Sequence, residues 1–289
     1  MYDICCIGHI TLDRVVTPVS KRHMAGGTSF YFSRALRNMK VKYALVTALG
    51  SNEMGYVNEL RDQGTAVTVF PSAHTVYFEN IYSGKLDYRT QRVLQEADSF
   101  TVDQLKGIDA EIFHLGPLLA GDIPVSLIAD LALRGKVSLD VQGYLREVKE
   151  QQVCAADWTD KKEALQHVFF VKADEAELQV LTGCDDLHEG ARVLAGWGVK
   201  EVVITRASLG SVVYAEGTFH EIPAFIPAEE VDATGCGDTY MAGYLYKRVK
   251  GAGIQEAGEF GAAMASLKME TSGPFDGNED EIKALLARF

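Results

Sequence analysis

Short apolar runs alternate with amphipathic stretches along most of the 289 residues, and this alternation restricts the fold more than any single motif does. Residues 3–8 form an apolar run closed by glycine, the pattern of a buried strand. Further strands are predicted over 43–49, 111–115, 137–140, 167–171, 201–205 and 211–214. Helical periodicity falls at 29–39, 54–63, 125–133, 175–181, 187–197, 239–249, 254–267 and 279–288. Strands separated by helices in this way give an α/β fold with a mostly parallel sheet covered on both faces. One stretch breaks the alternation: 67–70, 75–82 and 87–94 read as consecutive strands, the last two joined by a turn at Ser83-Gly84-Lys85. Together with 13–22 they predict a small separate sheet. It would be a lid made of excursions near 13–22 and 67–97 from one domain spanning 1–289.

Composition excludes several partners. The formal net charge is −12, which argues against nucleic acid and anionic membranes, since both require clustered basic residues. No apolar run approaches the ~20 residues of a membrane span. Met1-Tyr2-Asp3-Ile4 has no basic region before an apolar stretch, so a cytoplasmic location is the expectation. The five cysteines, Cys5, Cys6, Cys154, Cys184 and Cys236, have no paired spacing and read as reduced thiols. The absence of Cys-x-x-Cys and His-Glu-x-x-His motifs argues against a zinc site.

The densest chemistry lies in Asp232-Ala233-Thr234-Gly235-Cys236-Gly237-Asp238, which runs straight into a helical segment. Unpaired N–H groups in a first helical turn form an anion site, strengthened by the helix dipole. Glycines let that backbone approach a ligand closely. Asp238 then stands where an anionic group and a hydroxyl could meet, the layout phosphoryl transfer requires. The same residues could instead form a glycine turn with a capping aspartate. In open sheets ligands bind at the carboxyl ends of the strands, which directs attention to Asp13, His114, Asp140, Gln142, Arg146 and Arg206. No Gly-x₄-Gly-Lys-[Ser/Thr] loop is present, and no Gly-x-Gly-x-x-Gly follows the first strand.

With these residues in view, the chain resembles the PfkB (ribokinase-like) carbohydrate kinase family over essentially its whole length. Asp232 to Thr239 matches the family's Asp-Thr-x-Gly-Ala-Gly-Asp signature, and Gly26-Gly27 followed by Thr28-Ser29-Phe30-Tyr31-Phe32-Ser33 resembles its N-terminal one. The resemblance implies a three-layer sandwich with a mostly parallel central sheet and a β-strand lid. It implies ATP-dependent transfer of the γ-phosphate, with Mg²⁺, to a hydroxyl of a small sugar or polyol. Asp238 would be the base, and the amides of Gly235, Cys236 and Gly237 the anion hole. Asp13 would bind sugar hydroxyls, with Gly26 and Gly27 bringing backbone close, and Asp140 and Gln142 would also read the acceptor. Asp174 and Glu177 match an Asn-x-x-Glu pattern whose glutamate holds the metal-bound phosphates through water; Asp-x-x-Glu is also a capping-box spacing. Thr205 and Gly210 bound a turn expected beside the nucleotide. Asp232 and Thr234 correspond to positions that help bind K⁺ in some relatives, with carbonyls near Ser272-Gly273 completing the site. Lid strands over 75–82 and 88–94 would leave an edge and make a homodimer.

Three departures from the family pattern stand out. Tyr31 occupies the place where many relatives carry a sugar-binding asparagine, which favours inositol-like or other cyclic polyols over ribose. Ala207 replaces a turn glycine, and Asp174 replaces an asparagine. Cys236 reads as a small residue standing in for alanine; being at a helix start, where a thiol pKa tends to fall, it would alternatively react with thiol reagents unless ATP protects it. Asp238, also in the first turn, is expected to be held as its anion by the helix dipole. Alternative readings are an inositol or nucleoside kinase of the same family, a catalytically silent sugar or nucleotide sensor, and an NAD-dependent oxidoreductase, the last disfavoured by the missing fingerprint.

Overall fold

The computed structural model describes residues 1–82 and 89–289. In chain order the strands are β1 (Tyr2–Ile7), β2 (Thr11–Val16), β3 (Lys21–Gly26), β4 (Tyr43–Leu49), β5 (Ala66–Pro71), β6 (Val76–Tyr82), β7 (Arg89–Gln95) and β8 (Ala110–Leu115). They continue as β9 (Lys136–Asp140), β10 (Arg146–Lys149), β11 (Gln152–Ala155), β12 (Phe170–Asp174), β13 (Glu201–Thr205), β14 (Ser211–Ala215) and β15 (Thr218–Ile222). The helices are α1 (Thr28–Leu36), α2 (Met54–Asp62), α3 (Val125–Ala132), α4 (Lys161–Leu165), α5 (Glu175–Thr182), α6 (Leu187–Gly196), α7 (Cys236–Val249), α8 (Ile254–Met269) and α9 (Glu279–Leu286).

Nine strands form the main sheet in the order β15-β14-β13-β12-β9-β8-β1-β4-β5. Pairing is parallel from β5 through β13 and antiparallel across β13, β14 and β15. Alternation along each strand divides the apolar residues between two layers. Ile4 and Cys6 join Leu45 and Val203 under α1, α7 and α8, whereas Cys5 and Ile7 join Val46, Val202 and Ile204 under α3 and α6. Strands buried on both faces are therefore continuous apolar runs, which is why they were legible. The strand expected at 167–171 lies at Phe170–Asp174 instead, because His167 and Val168 close the turn after α4 with bonds back to Ala164 and Leu165.

The second sheet has six strands in the order β10-β11-β7-β6-β2-β3 and forms the lid, over an apolar patch of Val76, Phe78, Val93, Leu118 and Leu119. Three expectations about it need correction. Residues 66–71 do not join it; as β5 they pair in parallel with β4 at the edge of the main sheet. Two further lid strands, β10 and β11, come from four-residue segments, the first charged, with no apolar alternation to announce them. Strands β6 and β7 are not edges, since β2 and β11 flank them, and the edges are β3 and β10. The Ser83-Gly84-Lys85 turn and the first part of the expected 87–94 strand lie outside the described residues.

Helix α7, which carries the Gly-Cys-Gly-Asp run at its start, is anchored to the sheet by a buried ionic cluster. Glu201 on β13 accepts from the Tyr244 hydroxyl at 2.5 Å and pairs with Arg248, whose Nε and Nη2 lie 3.1 and 2.5 Å from its two oxygens. Truncating one partner of a buried pair leaves an uncompensated charge. Arg248→Met should therefore lower unfolding free energy by about 3 kcal/mol in denaturant titrations. Glu201→Gln/Arg248→Met should recover most of that loss.

Candidate active site

The cleft between lid and main sheet holds a cavity of about 690 Å³, and both glycine-bearing helix starts open into it. On the lid side, Asp13 sits in β2 opposite Met24 of β3. Its carboxylate accepts from the Thr11 hydroxyl at 2.6 Å and lies over Gly26, where a Cβ would fall 2.6 Å from an Asp13 oxygen. Gly27 caps α1 at φ 90°, and a Cβ there would meet the His9 carbonyl at 2.5 Å. Contact thus requires both glycines, and conformation requires Gly27 as well. Asn80 and Gln91 are cross-strand partners on β6 and β7, joined by a bond from Gln91 Nε2 to Asn80 Oδ1 of 3.1 Å, and both line the cleft.

The floor is a network of charge. Asp140, at the end of β9, accepts from the Gln142 N–H at 3.0 Å and faces Lys172 Nζ at 3.1 Å. Lys172 lies within the buried strand β12, with Glu177 Oε2 at 3.7 Å. Gln142 Nε2 donates to Glu177 Oε1 at 3.1 Å. Asp174 and Glu177 form a complete capping box at the start of α5, so the spacing serves the helix as well as the cleft. Burial works against the Lys172 ammonium, but the charges of Asp140, Glu177 and Asp238 outweigh it and hold its pKa above the usual lysine range. Burial raises the Glu177 carboxyl despite Lys172 beside it.

On the opposite wall, Gly235 adopts the left-handed conformation at φ 79° and caps α7. A Cβ at Gly235 would fall 2.3 Å from the Tyr31 ring, so Tyr31 packs on the turn where a smaller polar residue could have faced the acceptor. The Cys236 N–H is directed to the Ala233 carbonyl at 3.2 Å; among the described residues no backbone carbonyl accepts from the Gly235 or Gly237 N–H. Asp238 follows in the first turn and accepts from the Thr28 hydroxyl at the start of α1. Two sequence expectations fail here. Burial, with the charge of Asp140 adding to it, pushes the Asp238 carboxyl up to about 7, so desolvation overrides the helix dipole. Burial likewise pushes the Cys236 thiol up to about 11, and its sulfur points to the Ala265 carbonyl at 3.6 Å rather than into the cleft.

The structure therefore brings together Asp13, Gly27, Asp140, Gln142, Asp232, Thr234, Gly235, Gly237 and Asp238 around one cavity, with Gly26 beneath Asp13 and Glu177 beneath Lys172. It keeps others apart. His114 is buried with Nδ1 3.0 Å from Ser138, stacked on Phe32, and burial lowers its pKa to about 4. Thr205 and Gly210 do not line the cleft; the turn packs on the end of β15, and Arg206 pairs with Glu175 at 3.1 Å. Ala207 keeps the left-handed conformation of the glycine it replaces, at φ 48°. Sequence reasoning missed Lys172, Thr28, Asn80 and Gln91. Lys172 had a signal: a lone cation inside an apolar strand needs carboxylate partners.

A cleft at the carboxyl ends of parallel strands, a β-lid, and a helix start bearing paired glycines and a carboxylate define a phosphotransferase acting on an alcohol group. The model of the pfkB family carbohydrate kinases matches residues 1–281, and the chain belongs to that family. It is 30% identical to the cytidine kinase of Thermococcus kodakarensis over 275 residues, 92% of this chain and 95% of that one. A pyrophosphate-dependent kinase in the ribokinase family, solved with a pyrophosphate analog and myo-inositol, superposes with a TM-score of 0.87 at 31% identity, covering 97% of this chain and 99% of that one. Similar at TM-score 0.87 and 30% identity, over 99% of each chain, is a pyrophosphate-dependent myo-inositol-1 kinase converted into a myo-inositol-3 kinase by replacing an asparagine and a serine with leucine.

The raised pKa of Asp238 makes a prediction independent of any substrate. Between the unfolded carboxyl pKa of about 3.9 and the folded value of about 7, the folded state holds a proton that the unfolded chain has lost. Stability contributed by the protonated form is complete below that window and is lost as pH rises through it. Asp238→Asn should therefore melt several degrees above the unmodified protein at pH 8 and within about a degree of it at pH 4. Equal shifts at both values would show that the carboxyl is not desolvated.

Proposed function

We propose that this chain transfers a phosphoryl group to a ring hydroxyl of a cyclic polyol, with myo-inositol the first acceptor to test. The observation that carries this reading is the hydrogen-bonding character of the acceptor end: Asp13, Asn80, Gln91 and Arg146 on the lid face Gln142 on the floor. A ring with a hydroxyl on each carbon can satisfy such a surround. The nearby aromatics are already used, Tyr31 over Gly235 and Phe78 in the apolar patch of the lid. Asn80 and Gln91 are eleven residues apart, as are the two positions whose replacement redirects the related inositol kinase.

In this reading Asp238 takes the proton from the attacking hydroxyl while the Gly235 and Gly237 amides face the developing charge. A carboxyl with a pKa near 7 is matched to proton transfer at neutral pH, so activity should rise with pH through about 7. Lys172, beside Gly237, supplies positive charge between base and donor. Among the described residues no three His, Cys, Asp or Glu side chains cluster to cage a metal. That suits a Mg²⁺ carried by the donor phosphates, with Glu177 reached through water, where it would neutralise donor charge. For the donor, ATP is the family expectation. A second reading, inorganic pyrophosphate, is favoured by one observation: the lining of the cavity reaches Ser272 but omits the Thr205–Gly210 turn.

The deciding experiment is a screen of inositols, sugars and nucleosides with ATP and with pyrophosphate, following ADP or phosphate release. Inositol should turn over, and Asp238→Asn and Lys172→Met should each lose about 10²-fold or more in kcat. Turnover of cytidine alone would overturn the polyol reading. Asn80→Leu/Gln91→Leu should keep turnover and change the ring position phosphorylated, read by ³¹P–¹H NMR of the product.

We also propose a homodimer, now through the lid edge β3 rather than β6 and β7. Equilibrium sedimentation at micromolar concentration should give twice the chain mass; a monomer would sink this.

A further inference from the structure

The surroundings of Asp232 do not fit a K⁺ ion. An alkali-cation site needs oxygens that converge without competing donors. Here Lys268, on α8, is fully buried, with its Nζ 2.6 Å from the Asp232 carbonyl oxygen and 3.6 Å from Asp232 Oδ2. The other acceptors of this residue are also taken: Oδ1 accepts from the Thr234 N–H at 2.9 Å, and Oδ2 from the Gly273 N–H at 3.3 Å. Each Asp232 oxygen that could ligate an ion already faces a donor. The ammonium brings the same single positive charge that K⁺ would.

Lys268 is one of three attachments that α8 makes to this turn. Met269 accepts from the Val231 and Asp232 N–H groups at 2.9 and 3.2 Å, and Ala265 accepts from the Cys236 thiol at 3.6 Å. The stretch between these attachments, Asp232 to Cys236, contains Gly235 and leads to Gly237 and Asp238. Lys268 does not line the cleft itself. Burial acts against the Asp232 anion, but the Thr234 bonds, the Lys268 charge and the Gly273 N–H outweigh it and lower its pKa.

We propose that Lys268 is a built-in monovalent cation: its ammonium stands where some relatives would bind K⁺, holds the Asp232–Gly237 turn in its anion-receiving shape, and makes the protein indifferent to alkali cations. It is a positioning residue, acting through Asp232 and the turn. The activity arm of the test rests on the kinase reading, and the melting arm does not.

The unmodified protein should melt at the same temperature in KCl, NaCl and choline chloride of equal ionic strength. Lys268→Ala opens a space beside the Asp232 oxygens and should melt about 5 °C or more lower in choline chloride, with part of the loss restored by KCl or NH₄Cl. Lys268→Met fills that space without charge and should show no restoration. Should Lys268→Ala fail to fold, Asp232→Asn/Lys268→Ala removes both charges and should melt independently of the cation. With a working acceptor, exchanging K⁺ for choline should leave turnover of the unmodified protein unchanged. In Lys268→Ala the same exchange should lower kcat by about tenfold with little change in KM. Melting or turnover of the unmodified protein that rises with K⁺ over choline would overturn the proposal. So would a Lys268→Ala variant whose melting ignores the cation. Absence of turnover with every acceptor would remove the kinase reading while the melting curves still decide this one.

Discussion

The abutment of two helix starts, α1 and α7, over the carboxyl ends of β1 and β8 is the contact on which the site depends. Gly235 must be left-handed and must lack a Cβ, because the Tyr31 ring of α1 occupies that space. Close approach continues along α7. A Cβ at Gly243 would fall 3.0 Å from the Gly261 Cα on α8, and one at Gly261 would meet the Tyr240 carbonyl at 2.7 Å. Helices packed at backbone distance transmit small displacements, so the Glu201–Arg248–Tyr244 cluster at the far end of α7 helps set where Asp238 stands. Gly235 of the signature therefore answers to helix packing before it answers to any phosphate. The Thr28 bond to Asp238 then ties the two starts chemically.

Electrostatics follows from that enclosure. A net charge of −12 is carried partly inside the cleft, where Asp140, Glu177 and Asp238 surround the single ammonium of Lys172. One cation cannot neutralise three carboxylates at the cleft floor, and burial, with the charge of Asp140 adding to it, pushes the Asp238 carboxyl up to about 7. A second buried lysine, Lys268, answers the carboxylate of Asp232 at the other end of the same turn. The anion-receiving turn is thus bracketed by two fixed ammonium groups, one on each side of the sheet-to-helix junction.

Much of this was legible in the sequence, for a physical reason that also sets the limit. Parallel strands buried on both faces cannot carry charge cheaply, so they announce themselves, and the glycine-carboxylate turn does so because its backbone tolerates few alternatives. The lid is different. β10 and β11 are four residues each and half-exposed, β10 is charged, and β15 carries Thr, His and Glu, so neither alternation nor apolar density marks them. Residues 67–70 read as lid because no helix separates them from the strands that follow, but as part of β5 they pair in parallel with β4. Dipole arguments for Asp238 and Cys236 failed in the same direction. A helix start favours an anion by about a kcal/mol, and removal from water outweighs that.

The division of the chain between sheet and lid also separates chemistry from choice. Asp140, Lys172 and Asp238 sit at the ends of main-sheet strands or on α7, where the packing of both cores fixes them. Asn80 and Gln91 sit on lid strands whose apolar support is the small patch around Phe78 and Val93. A substitution on the lid disturbs few core contacts, so in the proposed reading acceptor preference can drift while the phosphoryl-transfer residues stay in place. Tyr31 is the exception. As a residue of α1 it belongs to the rigid part, and its ring cannot be exchanged for a hydrogen-bonding side chain without uncovering Gly235. Tyr31 is therefore held at that position by packing. In the proposed reading, recognition of the acceptor is then left to Asp13, Asn80, Gln91 and Arg146 on the lid and to Gln142 on the floor.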